Sequence, residues 1–360
     1  MDDDTVMYDV AIIGAGPAGS SAAYTLEQWG YSILLTDKEI FPRKKACAGV
    51  LPPRIFSELD IPEDVIEMPL KGYRIFSPQG EMVESVFPKP GAIVRRENFD
   101  LFLVNRLKKK PRQMRITECV PGNDSVKIIG EGFAAKAKIV IGTDGVNSRV
   151  KKTCLAKGSG MNEEGDTALG VQYEISLPEG EINRQFGGWF EVHYTLPYGY
   201  FWISPLKSAV KVGCGATSLE FKRDSRAILD DFLEHERVRE RLANGHMEHF
   251  ESHLIPMKGP LDILTSGRVI LAGDAGGFVF PGTGEGVFYA VKSGRIAGEV
   301  AARALEEGVF DAGFLGHMYS KQLDKSGLGS LRDVDFVERV LSSPERAHRY
   351  VMRLKALGHF

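Results

Sequence analysis

The sequence predicts an α/β fold in which a nucleotide-binding lobe is interrupted by a second, sheet-rich α+β lobe, and three features predict it. A β-branched apolar run, residues 7–13, breaks into a glycine-rich turn and then a helical stretch. Two further short strand-like runs, 139–141 and 268–271, lead into Asp-Gly or Gly-Asp pairs far downstream. Elsewhere, segments alternate apolar and polar residues with period two, as half-buried strands do. A chain of 360 residues exceeds what one core usually serves, so more than one lobe is expected.

The elements follow in order. Met7-Tyr8-Asp9-Val10-Ala11-Ile12-Ile13 is a strand, Gly14-Ala15-Gly16-Pro17-Ala18-Gly19 a tight turn, and a helix runs on to about Trp29. Ile33-Leu34-Leu35 is a second strand ending at Asp37 and Lys38, which places an acid about 20 residues beyond the glycines. That order is Rossmann-like. Phe41 to Pro53 reads as a loop, while Tyr73–Phe76 and Met82–Phe87 read as strands of a second sheet. Residues 97–110 place Phe99, Phe102, Leu103 and Leu107 on one helical face, so the chain returns to the first lobe there. From about Thr167 to Ser218 strands recur, followed by an amphipathic helix near 224–243. Arg268–Leu271 is again a buried-type strand, Gly284–Leu305 a long helix, and 311–360 helices alone. The expected boundaries are 1–68, 96–165 and 261–308 for the nucleotide domain. Those for the inserted mixed or antiparallel-sheet substrate domain are 69–95 and 166–260, with C-terminal helices over 309–360.

Composition narrows the classes. Hydrophobic residues at 43% and charged residues at 26% are globular values, which exclude disordered and fibrous chains. With a net charge of −3 and one tight basic cluster, Lys108 to Lys110, read as a solvated helix end, no nucleic-acid partner is expected. Cys47, Cys119, Cys154 and Cys214 show no C-x-x-C pairing, which argues for a reducing, cytoplasmic setting without structural metal or disulfides. The start, Met1-Asp2-Asp3-Asp4, lacks the basic region of a signal peptide. No apolar run is long enough to span a bilayer, so any membrane contact is peripheral. His246, His249 and His253, at spacings of three and four, are placed to share a helix face, but no Cys or acid completes a metal set, and none is expected.

The glycine turn carries chemistry because it brings backbone N–H groups against a pyrophosphate, while the helix starting near Pro17 points its positive end at the same group. Asp37 is then placed to accept from ribose hydroxyls. The alternative is a turn that merely packs strand on helix.

Asp144-Gly145, after Ile139-Val140-Ile141-Gly142-Thr143, and Gly273-Asp274 resemble the paired signatures of the p-hydroxybenzoate hydroxylase-like flavoprotein superfamily. The resemblance implies FAD rather than NAD, an FAD-binding first lobe, and Asp274 on the ribityl chain. Pro281-Gly282-Thr283-Gly284-Glu285-Gly286 then opens a helix whose amides would face the flavin ring and stabilise negative charge on it. Lys45-Ala46-Cys47-Ala48-Gly49-Val50 is similar to the cysteine–glycine loop of geranylgeranyl reductases, which more often have glycine where Ala48 stands. Val94-Arg95-Arg96-Glu97 is similar to the segment in which an arginine of that family contacts FAD, and Arg96 takes that place. Tyr200-Phe201-Trp202-Ile203-Ser204-Pro205, followed by Gly213-Cys214-Gly215, resembles the family's Y-x-W-x-F-P…G-x-G substrate motif, with Ser204 replacing phenylalanine. Gly284-Glu285-Gly286 and Lys292-Ser293-Gly294-Arg295 resemble the chlorophyll-pathway branch more than the archaeal lipid branch.

This family resemblance implies an FAD-dependent reductase that saturates C=C bonds of a geranylgeranyl or other isoprenoid chain, charged by an external donor, NAD(P)H or ferredoxin. The chain would belong to an ether lipid, geranylgeranyl diphosphate, a pigment or a menaquinone. An unactivated alkene offers no carbonyl to absorb hydride, so the π faces of Tyr200 and Trp202 suit a transition state with positive character, by about 1 to 2 kcal/mol. Cys47, Tyr200 or water would supply the proton, the alternative for Cys47 being a small residue in a tight loop. Phe186, Trp189, Phe190 and Tyr194 line a lipid tunnel or are plain core. Residues 334–357 are expected to pack on the body rather than lie on a membrane. Two other functions remain. One is a flavin monooxygenase or halogenase, whose W-x-W-x-I-P motif Tyr200 and Ser204 break and whose lysine Lys71 would have to provide; the other is a non-catalytic prenyl-lipid-binding flavoprotein.

Overall fold

The computed structural model describes residues 6–155, 167–217, 219–331 and 336–357. The chain divides into two compact units. One comprises Met1–Arg43, Asp100–Glu163 and Pro256–Asp333, the other Lys44–Phe99, Glu164–Ile255 and Val334–Phe360. The first crossover therefore falls just after Arg43, whereas the sequence sets it at residue 68, because the strand Val50–Leu51 joins the sheet of the second unit through Ile93 and Ala92. The C-terminal helices do not stand apart: Ala312–Lys325 belongs to the first unit and Pro344–Leu357 to the second.

The first unit is built on a parallel sheet in which Val269–Leu271, Phe133–Gly142, Met7–Ile13 and Ile33–Asp37 lie side by side. These strands are apolar on both faces because helices cover parallel sheets, and Val10, Ile12, Ile139, Ile141 and Ile270 are fully buried. Register matters most here. Ile13 pairs with Thr36 and Gly142, and Gly142 with Leu271, so four strands end at one level and the turns after them leave along a common edge. The helix Pro17–Glu27 lies against Val287–Glu307 closely enough that a Cβ on Gly294 would stand 2.1 Å from the Ala18 carbonyl oxygen. Lys110 is more than a solvated helix end: its Nζ donates to the carbonyls of Val104, Asn105 and Leu107, where the helix Arg96–Asn105 runs out of internal donors.

The second unit carries a mixed sheet ordered His246–Pro256, Thr167–Ser176, Ala209–Ala216, Gly199–Pro205, Trp189–His193, Ile66–Phe76, Met82–Val94 and Val50–Leu51. Alternation along the strands gives it two faces. Val171, Tyr173, Phe201, Ile203 and Val212 point to one, where Phe221, Leu229 and Phe232 of the helix Leu219–Glu234 complete a core; Phe201 stacks on Phe232 at 4.2 Å. The other face carries Tyr200, Trp202 and Ser204, with Lys211, Gly213, Gly215, Gln172 and Glu174 opposite them in register. The helix expected near 224–243 is two helices, because His235 takes a non-helical backbone between Glu234 and Glu236. His246–Pro256 is a strand, so the three histidines do not share a helix face: strand alternation turns His246 away from His249.

The tail packs on the body. A π-helical turn, Val337–Leu341, and the helix Pro344–Leu357 bring Val340, Leu341, Ala347 and Val351 into one cluster with Tyr194. Tyr200, Val192 and Ile75, all on the Trp202 face, pack against that cluster. Tyr198, with φ of 56°, donates its N–H to the Leu341 carbonyl at 2.7 Å and so pins the turn. Among the described residues, no helix is long and apolar enough to cross a membrane.

Candidate functional site

In the first unit the common strand edge gathers most of the expected cofactor residues. Gly14 has φ of +101°, and a Cβ there would stand 2.4 Å from the Thr143 carbonyl oxygen; Gly19 would put one 1.8 Å from the Gly14 carbonyl oxygen. Both glycines are therefore required by the fold itself. Gly16 is different, because a Cβ there would meet only the Arg43 guanidinium, at 3.3 Å, and otherwise open space. As N-cap of Pro17–Glu27, Gly16 offers no side-chain oxygen, and the first turn holds no acid, so the helix's leading amides are left for a ligand. Thr143 Oγ1 lies at 2.7 Å from the Gly14 carbonyl oxygen and 2.9 Å from that of Ile13, which ties the second turn to the first.

The carboxylates around this edge have distinct tasks. Asp37 Oδ2 accepts from the Ala15 N–H at 2.8 Å, and Oδ1 from the Glu39 N–H at 3.0 Å, so the acid that ends the strand Ile33–Asp37 holds the glycine turn. Lys38 beside it is exposed. Asp144 Oδ2 accepts from the backbone N–H of Arg149 and Val150, while its Oδ1 is buried without a partner among the described residues; burial pushes its carboxyl up. Gly145 has φ of +82° and open space around it. Gly273 and Asp274 start a short 3-10 turn, and Asp274 Oδ1 stands 3.6 Å from where a Gly286 Cβ would be. Gly286, the last residue of the segment that holds Pro281, Gly284 and Glu285, thus brings Asp274 to the uncapped start of Val287–Glu307. Two amide-rich helix starts, a glycine that leaves room and a nearby guanidinium fit an anionic dinucleotide such as FAD.

Arg43 is the residue sequence reading missed in this unit. It pairs with the buried Asp100 at 3.2 Å, lies over the Phe41 ring, and its Nε is buried without a hydrogen-bond partner. No motif flags it, since it is one of several basic residues in an irregular loop.

In the second unit, Trp202 is the buried aromatic centre of its face. Its indole lies over Gly213, where a Cβ would stand 2.3 Å from Cζ2, and extends toward Gly215 and Gly170, 3.5 and 3.7 Å from the corresponding positions. The three glycines form a floor on which the ring lies flat, which is the physical content of the G-x-G spacing. Trp202 Nε1 is buried and has no hydrogen-bond partner among the described residues. Tyr200 meets Trp202 edge-on at 5.9 Å and Tyr194 at 6.2 Å, and Tyr194 continues the series to Tyr350 at 6.1 Å. Burial raises the phenols of Tyr194 and Tyr350, so both stay protonated.

The loop carrying Cys47 lies across this face. The Cys47 carbonyl accepts from Lys211 Nζ at 3.1 Å and from Gln172 Nε2 at 3.4 Å, and the Ala48 carbonyl accepts from Ser204 Oγ at 2.8 Å. Gly49, with φ of +76°, accepts from the Val94 N–H at 2.9 Å, and a Cβ there would stand 2.0 Å from the Val94 carbonyl oxygen. Cys47 is half-buried, and the Gly49 N–H points at its Sγ at 3.4 Å. Arg96 is buried close by in sequence, at the start of Arg96–Asn105. Lys211 and Gln172 were not legible as site residues, although a lysine inside Val-Lys-Val-Gly is a charge at a buried strand position.

Strand alternation sorts the four candidate tunnel aromatics. Phe190 and Tyr194 share the Trp202 face with Val192, which pairs with Trp202 itself. Trp189 points the other way under the Arg74 guanidinium, and Phe186 is core beneath Arg241. Lys71 is exposed, its Nζ near the Gly187 turn. On the opposite face Glu191 is buried between Arg241, with two contacts of 2.8 Å, and His193 at 3.6 Å. Burial alone would raise this carboxyl, but His193 and Arg241 hold it down at about 2.

A parallel-sheet unit and a mixed-sheet unit of this kind make up a fold also seen in solved reductase-like proteins and halogenases. A geranylgeranyl bacteriochlorophyll reductase-like protein from Thermoplasma acidophilum has this fold with a TM-score of 0.78 at 20% identity, over 98% of this chain and 99% of that one. A flavin-dependent brominase shares it at 0.72 and 19%, over 97% and 93%. The chain belongs to the geranylgeranyl reductase family. It is 31% identical over 335 residues to the digeranylgeranylglycerophospholipid reductase of Methanosarcina acetivorans, covering 88% of this chain and 80% of that protein. The geranylgeranyl diphosphate reductase of Rhodobacter capsulatus is 30% identical over 320 residues, 84% of this chain and 76% of its own length. No family model matches the chain.

Proposed function

We propose that this protein saturates C=C bonds of a geranylgeranyl or similar isoprenoid chain, using FAD. The family membership at 30–31% identity supports the chemistry, and the indole laid on a glycine floor beside the clamped Cys47 loop is the observation that carries it. Relatives named for a glycerophospholipid and for a diphosphate match almost equally, so the proposal names the prenyl chain and not its head group.

When bound and reduced, FAD supplies a hydride to the alkene. Gly14, Gly16, Ala18 and Gly19 would hold its pyrophosphate with Arg43; Asp37 and Lys38 would serve the ribose end. Asp144, Gly145, Gly273 and Asp274 would serve the ribityl chain, and Pro281 with Gly284 to Gly286 the ring. Cys47, Ala48 and Arg96 complete the proposed set. Trp202 and Tyr200 present π faces to the carbon that gains positive character, while the apolar cluster under the tail excludes water. The proton comes from Cys47, Tyr200 or water. NAD(P)H or ferredoxin would recharge the flavin, and the protein would work in the cytoplasm with peripheral access to a membrane.

Dithionite-reduced, FAD-loaded protein should add one H2 per reduced bond to geranylgeranyl compounds, read by mass spectrometry. No gain on a geranylgeranyl lipid, diphosphate, pigment or quinone would defeat the proposal. Oxygen consumption coupled to donor oxidation would point instead to a monooxygenase or halogenase.

A further inference from the structure

Lys211 carries a charge that the proposed chemistry leaves unused. It is 2% exposed on a strand whose other central residues are Val210, Val212, Gly213 and Cys214. Lysine is seldom buried without partners, because an ammonium stripped of water is strongly disfavoured. Its neighbours across the sheet are Ser204 on one side and Glu174 on the other, and its Nζ reaches the Cys47 carbonyl oxygen at 3.1 Å. Gln172 donates to the same oxygen, and is itself held by Glu251 Oε2 at 2.8 Å. Ser204 takes the next carbonyl, that of Ala48. Two consecutive peptide groups are thus fixed by three side chains from one sheet face, and the strongest of these bonds is charge-assisted.

We infer that Lys211 is a positioning residue for Cys47: its ammonium, seconded by Gln172, orients the peptide at Cys47 and thereby sets where the thiol stands. The value of that placement rests on the proposed alkene reduction, whereas the clamp itself does not. A small displacement of a reacting group lowers turnover more than binding.

Full-length, FAD-loaded protein allows a direct test, because Cys47 is half-buried while Cys119, Cys154 and Cys214 are buried. Iodoacetamide labelling followed by peptide mass spectrometry then reads Cys47 alone. Lys211→Met should change the Cys47 labelling rate by about fivefold or more and lower kcat by about tenfold, with KM within about twofold. Lys211→Arg, which keeps cation and donor, should recover most of both. Should Lys211→Met not fold, Gln172→Leu probes the same carbonyl through its second donor, with a smaller change expected in the same readouts. Unchanged labelling in a folded, FAD-replete Lys211→Met or Gln172→Leu variant overturns the inference, whatever the turnover. Changed labelling with undiminished turnover upholds the clamp and removes Cys47 from the reaction.

Discussion

Ser204 Oγ donates a 2.8 Å hydrogen bond to the Ala48 carbonyl, joining residues 156 positions apart. Both are places where this chain departs from the family pattern, serine standing for phenylalanine and alanine for glycine. The structure makes them one departure rather than two, since the hydroxyl is fully buried and its bond holds the loop that carries Ala48. Ser204→Ala should lower stability by about 1 kcal/mol, the usual worth of such a bond. Ser204→Phe, adding a ring where the loop now rests, should cost about 1 to 3 kcal/mol by overpacking. Urea unfolding of the FAD-loaded protein measures both; equal midpoints for all three proteins would show that the bond does not hold the loop.

Gly213→Ala isolates the floor beneath the indole. Its Cβ would stand 2.3 Å from Trp202 Cζ2, so the ring must lift. Turnover should fall by about 10²-fold for an ångström-scale displacement, with flavin content unchanged because Gly213 is not among the residues proposed to hold FAD. Intrinsic tryptophan fluorescence should shift as the indole moves. Full activity in Gly213→Ala would remove the flat indole from the mechanism.

The strand, turn and helix that begin the first unit were legible because their signals are local. A strand, a turn and a helix are each written in consecutive residues, and the glycine at 19 answers to the Gly14 carbonyl within them, whereas the one at 14 answers to the distant Thr143. What the sequence could not show is the register that levels Ile13, Gly142 and Leu271 and brings three distant turns together. Lys211 and Gln172 were invisible for a related reason: their meaning comes from a loop some 160 and 125 residues away. His246, His249 and His253 misled because spacings of three and four suit a helix, yet the segment pairs as a strand. Tyr200 and Trp202, which the sequence offered as a pair, do share one face, since strand alternation turns Phe201 and Ile203 to the other.

Glu191 predicts an acid limb in stability. Its carboxyl ordinarily titrates at 4.5 and is held at about 2 in the fold by His193 and Arg241, against the opposing effect of burial. A lowered folded-state value means that the stabilisation is complete above pH 4.5 and is lost as pH falls toward 2. The loss amounts to at most about 3 kcal/mol. Glu191→Gln should remove that much at pH 7 and flatten the decline between pH 4.5 and 3, followed by urea midpoints. A mutant with the native acid slope would mean that other carboxylates govern it.

Tyr350 tests whether the tail shapes the prenyl pocket. It meets Tyr194 at 6.1 Å, and Tyr194 meets Tyr200, so the helix Pro344–Leu357 contributes to the wall on the Trp202 face. Tyr350→Ala should raise KM for a geranylgeranyl substrate about tenfold, a loss of about 1.4 kcal/mol of binding, with kcat changed far less. Tyr350→Phe should behave as the native protein. A Tyr350→Ala enzyme with native KM would leave the tail as packing alone.

The second and third glycines of the first turn should separate folding from cofactor binding. Gly19→Ala forces a Cβ to within 1.8 Å of the Gly14 carbonyl oxygen, a backbone atom that cannot yield, so this variant should be severely destabilised with or without flavin. Gly16→Ala meets only the far end of the Arg43 side chain, at 3.3 Å, and the backbone φ of −66° suits alanine. The apoprotein should therefore keep its unfolding midpoint. If the amides at this helix start receive a pyrophosphate, the added methyl stands where the phosphate oxygens must come, and FAD affinity should drop by about 10²-fold or more, near 3 kcal/mol. Flavin absorbance after reconstitution, set beside urea unfolding of the apoprotein, distinguishes the cases. A stable Gly16→Ala protein that binds FAD as tightly as the native one would move the pyrophosphate away from the glycine turn.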